Sequence, residues 1–162
     1  MTVKRRRAHE DVKAPRHLLL AVDESAGSRR AVMFVADFFG DYGHLMLTLL
    51  SILPEPPEDL FKGGEERERW LAESRRQREN VLREYREILA GGGLREDRIA
   101  THLVVRRCTS LAEAILEEQE KLRCCIVVVG RRGLSRHEEF LFGSTSNRIL
   151  HNAQHCAVMV VE

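Results

Sequence analysis

Five short apolar runs alternate with four stretches whose apolar residues recur at helical spacing. The runs are HLLLAVDES from His17, HLMLTLLSIL over His44 to Leu53, ATHLVV over Ala100 to Val105, CCIVVV from Cys124, and CAVMVVE at the end. Each is nearly continuous in apolar residues and bounded by turn formers, the pattern of a strand covered on both faces. After the first run, Ser25 or Ser28 caps a helix that sets Ala31, Val32, Val35, Phe38 and Phe39 on one inward face and stops at Gly40. The second run closes on the breaker-rich PEPPEDLFKGG. Glu65 to Ala90 predicts a long helix whose second half carries Val81, Leu82, Tyr85, Ile88 and Leu89 toward the sheet. Pairs such as Glu65–Arg69 and Glu79–Arg83 support that helix at (i, i+4). Ser110 to Glu113 is a capping box, opening a third helix with Leu111, Ile115, Leu116 and Leu122 inward. Ser144 to His151 begins a fourth.

Strand followed by helix, four times over, predicts an α/β fold: a five-stranded parallel sheet with helices on both faces. In the strand order 3-2-1-4-5 the winding reverses between strands one and four. Ligands of such sheets sit beyond the carboxyl ends of the strands at that reversal. The chain reads as one domain over residues 16–162 behind a flexible basic tail over residues 1–15, where Lys4 to Arg7 cluster.

Charge changes the picture little. Lys and Arg number 26 against 25 Asp and Glu, so nothing global demands a polyanionic partner, and the interleaved acids of the long helix disfavour nucleic acid. No apolar segment approaches the length of a membrane span, and no apolar region follows the charged start as in a secretory signal. The four cysteines, Cys108, Cys124, Cys125 and Cys156, match neither a zinc set nor a CxxC pair. Cys124 and Cys125 read as small hydrophobes heading a strand, and a cytoplasmic chain with reduced thiols fits best. His102 and His155 read as strand-flanking residues rather than metal ligands.

Candidate chemistry gathers where two distant loops converge. Asp23 closes the first strand, and GRRGLSRHEEFLFGSTS follows the fourth. Gly130, Gly133 and Gly143 leave backbone amides uncovered. Ser144, Thr145 and Ser146 add hydroxyls at a helix N-terminus, where unpaired N–H groups and the helix dipole favour phosphate. Arg131, Arg132 and Arg136 either add charge or face solvent. Ile52 offers an apolar wall for a flat base, and Asp23 suits the base, the ribose or a Mg2+ ion. Taken singly, the glycines need only shape a turn and Ser144 need only cap a helix. As a set at a switch point they point to nucleotide binding. Both G-x-x-x-x-G-K-[ST] and G-x-G-x-x-G are missing, which disfavours a P-loop NTPase and NAD.

The spacing G-x2-G-x9-G-S at Gly130, Gly133, Gly143 and Ser144 resembles the nucleotide-binding signature of the universal stress protein family, in its ATP-binding subgroup. The likeness runs over roughly residues 16 to 162, through LLLAVDES, LTLLSILPEPP, SLAEAIL, IVVVGRRG and GSTSNRILHNAQHCAVMVV. It implies an adenine-nucleotide alpha-hydrolase-like sheet, homodimers through the last strand, and ATP binding, with ADP or AMP as alternatives. By motif, Ala21, Val22, Asp23, Ile52 and Val129 would meet base and ribose. Gly130, Arg131, Gly133, Gly143, Ser144, Thr145 and Ser146 would surround the phosphates, with Mg2+ or Mn2+ bridging. The chain departs from the family pattern in having Ala157 for a common Pro, Cys125 for a common Asp, and Ser51 for a common His beside Ile52.

Hydrolysis would need a positioned water and a base or metal array at the γ-phosphate. No Lys lies between Gly130 and Ser144, Glu138 and Glu139 have no assigned role, and Ser144 lacks a base. No catalytic residue is assigned. The expected protein is therefore a nucleotide-dependent stress-response regulator or scaffold with at most slow ATP hydrolysis. The alternative is a nucleotide-independent dimeric scaffold acting through the arginine-rich helix. An ATP pyrophosphatase would show an SGG-type loop where this chain has VDESAGS.

Overall fold

A computed structural model describes residues 16–131 and 144–162. In chain order the elements are β1 (Arg16–Ala21), α1 (Ala26–Phe39), β2 (Leu45–Pro54), α2 (Gly64–Gly91), β3 (Ile99–Arg106), α3 (Leu111–Leu122), β4 (Ile126–Gly130), α4 (Ser144–Asn152) and β5 (Ala157–Val161). The five strands form one sheet in the order β3-β2-β1-β4-β5, and every neighbouring pair is parallel. The alternation of short apolar runs with amphipathic helices thus yields the expected doubly covered sheet. Basic residues 4 to 7 and the segment 132–143 lie outside the described residues.

Side chains alternate across each strand, so β1 feeds two cores. Leu18, Leu20 and Val22 join α1 and α2, while Leu19 and Ala21 join α3 and α4. Leu18, Leu19 and Leu20 are fully buried, each contributing about 1.5–3 kcal/mol through desolvation. Register is fixed at the switch point: Ala21 pairs with Leu50 on one side and Val129 on the other. The carboxyl tips of β2, β1 and β4 are thereby brought level.

Helix ends obey local chemistry. Ser25 is the N-cap of α1, its Oγ accepting from Ser28 N at 3.1 Å. Ser110 caps α3 and accepts from Glu113 N at 3.4 Å. Helix α2 ends in a Schellman turn, with Gly93 at φ +106°, Gly93 N on Ala90 O and Leu94 N on Leu89 O.

Several expectations fail for tertiary reasons. Phe38 is 58 % exposed. Adjacent helix positions point 100° apart, so only one of Phe38 and Phe39 can face the sheet. Phe39 does, and Phe38 stacks on Phe34 with ring centroids 5.5 Å apart. The pairs Glu65–Arg69 and Glu79–Arg83 do not form. Arginines of α2 reach other elements instead: Arg67 meets Glu55 at 3.0 Å, and Arg78 meets Glu24 at 2.7 Å. Leu111 is more exposed than a core residue because it walls a cleft. Cys124 is buried as expected, but Cys125 is exposed, its thiol donating to His17 O at 3.3 Å. His102 lies within β3 rather than beside it and contacts Glu118 at 3.3 Å.

Candidate functional site

Beyond the carboxyl ends of β1, β2 and β4 lies a cavity of about 530 Å3, within the range of small-molecule sites. Ala21, Val22, Asp23, Ile52, Val129, Gly130, Arg131, Ser144, Thr145 and Ser146 all line it. The turn after β1 and the described ends of the second stretch, residues 130–131 and 144–146, therefore meet across one crevice. Gly133 and Gly143 lie outside the described residues.

Asp23 is held by the helix that follows it. Ser28 Oγ accepts from Asp23 N at 2.9 Å and donates to Asp23 Oδ1 at 2.7 Å. Oδ1 also accepts from Ser25 N at 2.9 Å. From α2, the Tyr85 hydroxyl donates to Asp23 O at 3.0 Å. Burial raises the Tyr85 pKa, and the Asp23 charge raises it further, so the phenol stays a neutral donor. The first loop is thus a braced turn with a carboxylate at the cavity wall.

Opposite it, Gly130 serves close packing. A Cβ there would stand 2.6 Å from Gly27 C and O, inside the first turn of α1. Here the absent side chain lets the tip of β4 touch the α1 backbone, which joins the two walls. Arg131 N donates to Val161 O at 2.7 Å, so that amide belongs to the sheet rather than to a ligand. The Arg131 guanidinium meets Glu162 at 2.7 Å. Ser146 is buried and its Oγ donates to Arg131 O at 3.1 Å, bracing α4 against the strand tip. Ser144 and Thr145 stand in the first turn of α4 and are more open. They are lining hydroxyls at the N-terminus of α4, where a phosphate is favoured.

Ile52, Val129, Leu50, Leu111 and Ile115 supply apolar wall. Ser51 does not belong to it. Strand alternation puts its neighbours Leu50 and Ile52 on the α3 and α4 side and Ser51 on the other, where it is buried. The replacement at Ser51 therefore leaves the edge of the apolar wall untouched.

Sequence reasoning missed Ser28, Arg78, Thr109, Ser110, Leu111 and Arg148. Thr109 and Ser110 follow β3, whose carboxyl end also faces the crevice, so the switch-point rule carried a signal for them. Arg78 extends the buried seam Leu82, Tyr85, Leu89 by one helical step, which was also readable. The charged residues of the described lining are Arg78, Arg131 and Arg148 with a single carboxylate, Asp23.

Fold and crevice define a class: parallel α/β domains with a switch-point site of nucleotide size. Within that class, the model of the universal stress protein family matches residues 15–162. The chain belongs to the universal stress protein family. Solved structures agree in fold. The hypothetical protein MJ0577 superposes with a TM-score of 0.75 at 20 % identity, covering 91 % of this chain and 95 % of that one. A universal stress protein in complex with cAMP gives 0.63 at 19 %, covering 91 % and 96 %. The universal stress protein from Archaeoglobus fulgidus in complex with dAMP gives 0.61 at 18 %, covering 90 % and 96 %. Among curated proteins nothing matches the chain.

Proposed function

We propose that the crevice binds an adenine nucleotide, with ATP the first candidate and ADP or AMP competing, and that occupancy regulates a stress-response partner. The observation that carries this reading is one cavity joining an apolar wall, a braced carboxylate and the open hydroxyls of a helix start. Base and ribose would lie along Ala21, Val22, Asp23, Ile52 and Val129. Phosphates would lie toward Ser144, Thr145 and the arginines, with Gly133 and Gly143 completing the loop. Structural relatives crystallised with cAMP and dAMP support the adenine choice.

Among the described residues no three His, Cys, Asp or Glu side chains come together as a metal cage. Mg2+ or Mn2+ would therefore arrive with the phosphates and meet Asp23, the single carboxylate among the described lining residues, as is usual for Mg2+ on nucleotides. The described lining holds no His, Cys, Glu or Lys, and Asp23 Oδ1 already accepts two hydrogen bonds. Our reading of binding with at most slow hydrolysis is in keeping with that lack of a free base among the described lining residues.

Strand β5 pairs only with β4 among the described residues, and its outer edge suits a second copy of the chain, giving a homodimer. No described helix is long and apolar enough to cross a membrane, and free cysteines among the described residues are in keeping with the cytoplasmic location we propose. The alternative is a nucleotide-independent scaffold acting through α2, from whose surface the ion pairs of Arg67 and Arg78 withdraw two arginines.

Mass spectrometry of ligand released from the purified protein tests the nucleotide directly. The double change Ser144→Ala with Thr145→Ala should weaken ATP more than adenosine. Equal weakening of both would overturn the phosphate assignment.

A further inference from the structure

Helix α2 is mostly polar, yet one of its arginines is sequestered. Leu82, Tyr85 and Leu89 form its buried seam against the sheet, and Arg78 stands one step further along that seam. The helix runs antiparallel to the strands, so each step toward its N-terminus moves toward the sheet's carboxyl edge. Seven residues beyond Tyr85, about 10 Å along the axis, Arg78 has passed the apolar sheet and reached the crevice. Its side chain is only 14 % exposed and lines the same cavity as Asp23 and Ser144.

A guanidinium that far from water requires a counter-charge. Its partner is Glu24, whose carboxylate lies 2.7 Å away but is itself 47 % exposed. That contact is made by Nη1 and lacks hydrogen-bond geometry, so Nη1, sealed from solvent, is paired by charge and has no hydrogen-bond partner among the described residues. The pairing differs from that of Arg131 only in depth: Arg131 also borrows an exposed carboxylate, Glu162. Two of the three arginines among the described lining residues are therefore held by carboxylates that are open to water and able to turn away.

We propose that Arg78 is a phosphate-contacting residue that makes affinity depend on the phosphate content of the nucleotide, with Glu24 as its resting counter-ion. This rests on the nucleotide reading of the crevice and extends it to α2, an element outside the glycine signature. When a phosphate enters, Glu24 swings to solvent and Arg78 turns its planar donor fork to the ligand. No bond is made or broken. The exchange of one anion for another keeps the buried cation neutralised throughout.

Titration calorimetry with ATP and with adenosine tests this on the full chain. Arg78→Gln should weaken ATP by about tenfold or more, the usual weight of a hydrogen bond to a charged group, while adenosine stays within about twofold. Glu24→Gln removes the competing anion and should tighten ATP several-fold. It keeps the arginine in place, so it reads the proposal even if Arg78→Gln is poorly folded. Arg76→Gln, on the exposed face of the same helix, should change neither ligand. The proposal is overturned if the parent binds ATP and Arg78→Gln binds it equally well, or if ATP and adenosine weaken together. A Glu24→Gln protein that binds ATP more weakly than the parent also overturns it. If the parent binds neither ligand, the nucleotide reading itself has failed, a result separable from failure at Arg78.

Discussion

Replacing Gly130 by alanine isolates the contact that joins the two walls of the crevice. The new Cβ would stand 2.6 Å from Gly27 C and O, which is 0.8 Å inside the 3.4 Å at which ordinary contact begins, and 3.1 Å from Ser28 N. These are backbone atoms, so no side chain can rotate away. They are also fixed, because the N-cap Ser25 and the Ser28–Asp23 bonds hold that turn. Relief must come from moving α1 or the tip of β4, and overpacking of this kind costs about 1–3 kcal/mol. With a urea m-value of roughly 2 kcal/mol/M, the denaturation midpoint should fall by roughly 0.5–1.5 M. Gly43→Ala is the matched control. A Cβ there meets nothing within 4 Å, so stability should change by less than about 0.5 kcal/mol. If Gly130→Ala unfolds at the same urea concentration as Gly43→Ala, the steric reasoning is wrong.

Three further outcomes follow from named contacts. Tyr85→Phe deletes the hydroxyl that donates to Asp23 O, and chemical denaturation should show a loss of about 0.5–1.5 kcal/mol. Burial holds His17 below its ordinary pKa of 6.5, with its Nε2 2.8 Å from Thr48 Oγ1. The unfolded chain therefore binds the proton more readily, and the His17 contribution to stability is full above pH 6.5 and lost as pH falls through the depressed folded value. Melting curves should show this acid loss, and His17→Gln should flatten it. An unchanged pH slope in that variant would rule His17 out. Burial pushes the Cys124 thiol up to about 11, whereas Cys125 is exposed. Iodoacetamide at neutral pH should alkylate Cys125 well before Cys124, as read by peptide mass spectrometry.

The sheet and its order were legible because strands buried on both faces are written as uninterrupted apolar runs, and because parallel pairing leaves few ways to connect them. Asp23 and Ser144 were legible for the same reason: each sits where a strand or helix ends at the switch point. What sequence could not supply was partner choice across elements. Arg67 and Arg78 of α2 pair with Glu55 and Glu24 on other elements, whereas Arg76 pairs with Glu73 in its own helix, and local spacing carries no record of that choice. The sequence marks Gly130 as an anion-loop glycine, but its close approach to Gly27 depends on where α1 docks. Local spacing marks Ser28 as a cap candidate, whereas its hydroxyl fixes the Asp23 carboxylate.

Calorimetric titration of ATP into the purified chain, with adenosine as competitor, bears most directly on the crevice. Saturation at one nucleotide per chain, suppressed by adenosine, is the result expected of a switch-point site with an apolar base wall. Absence of saturable heat up to millimolar ATP, from protein shown to be folded and free of bound nucleotide, would contradict it.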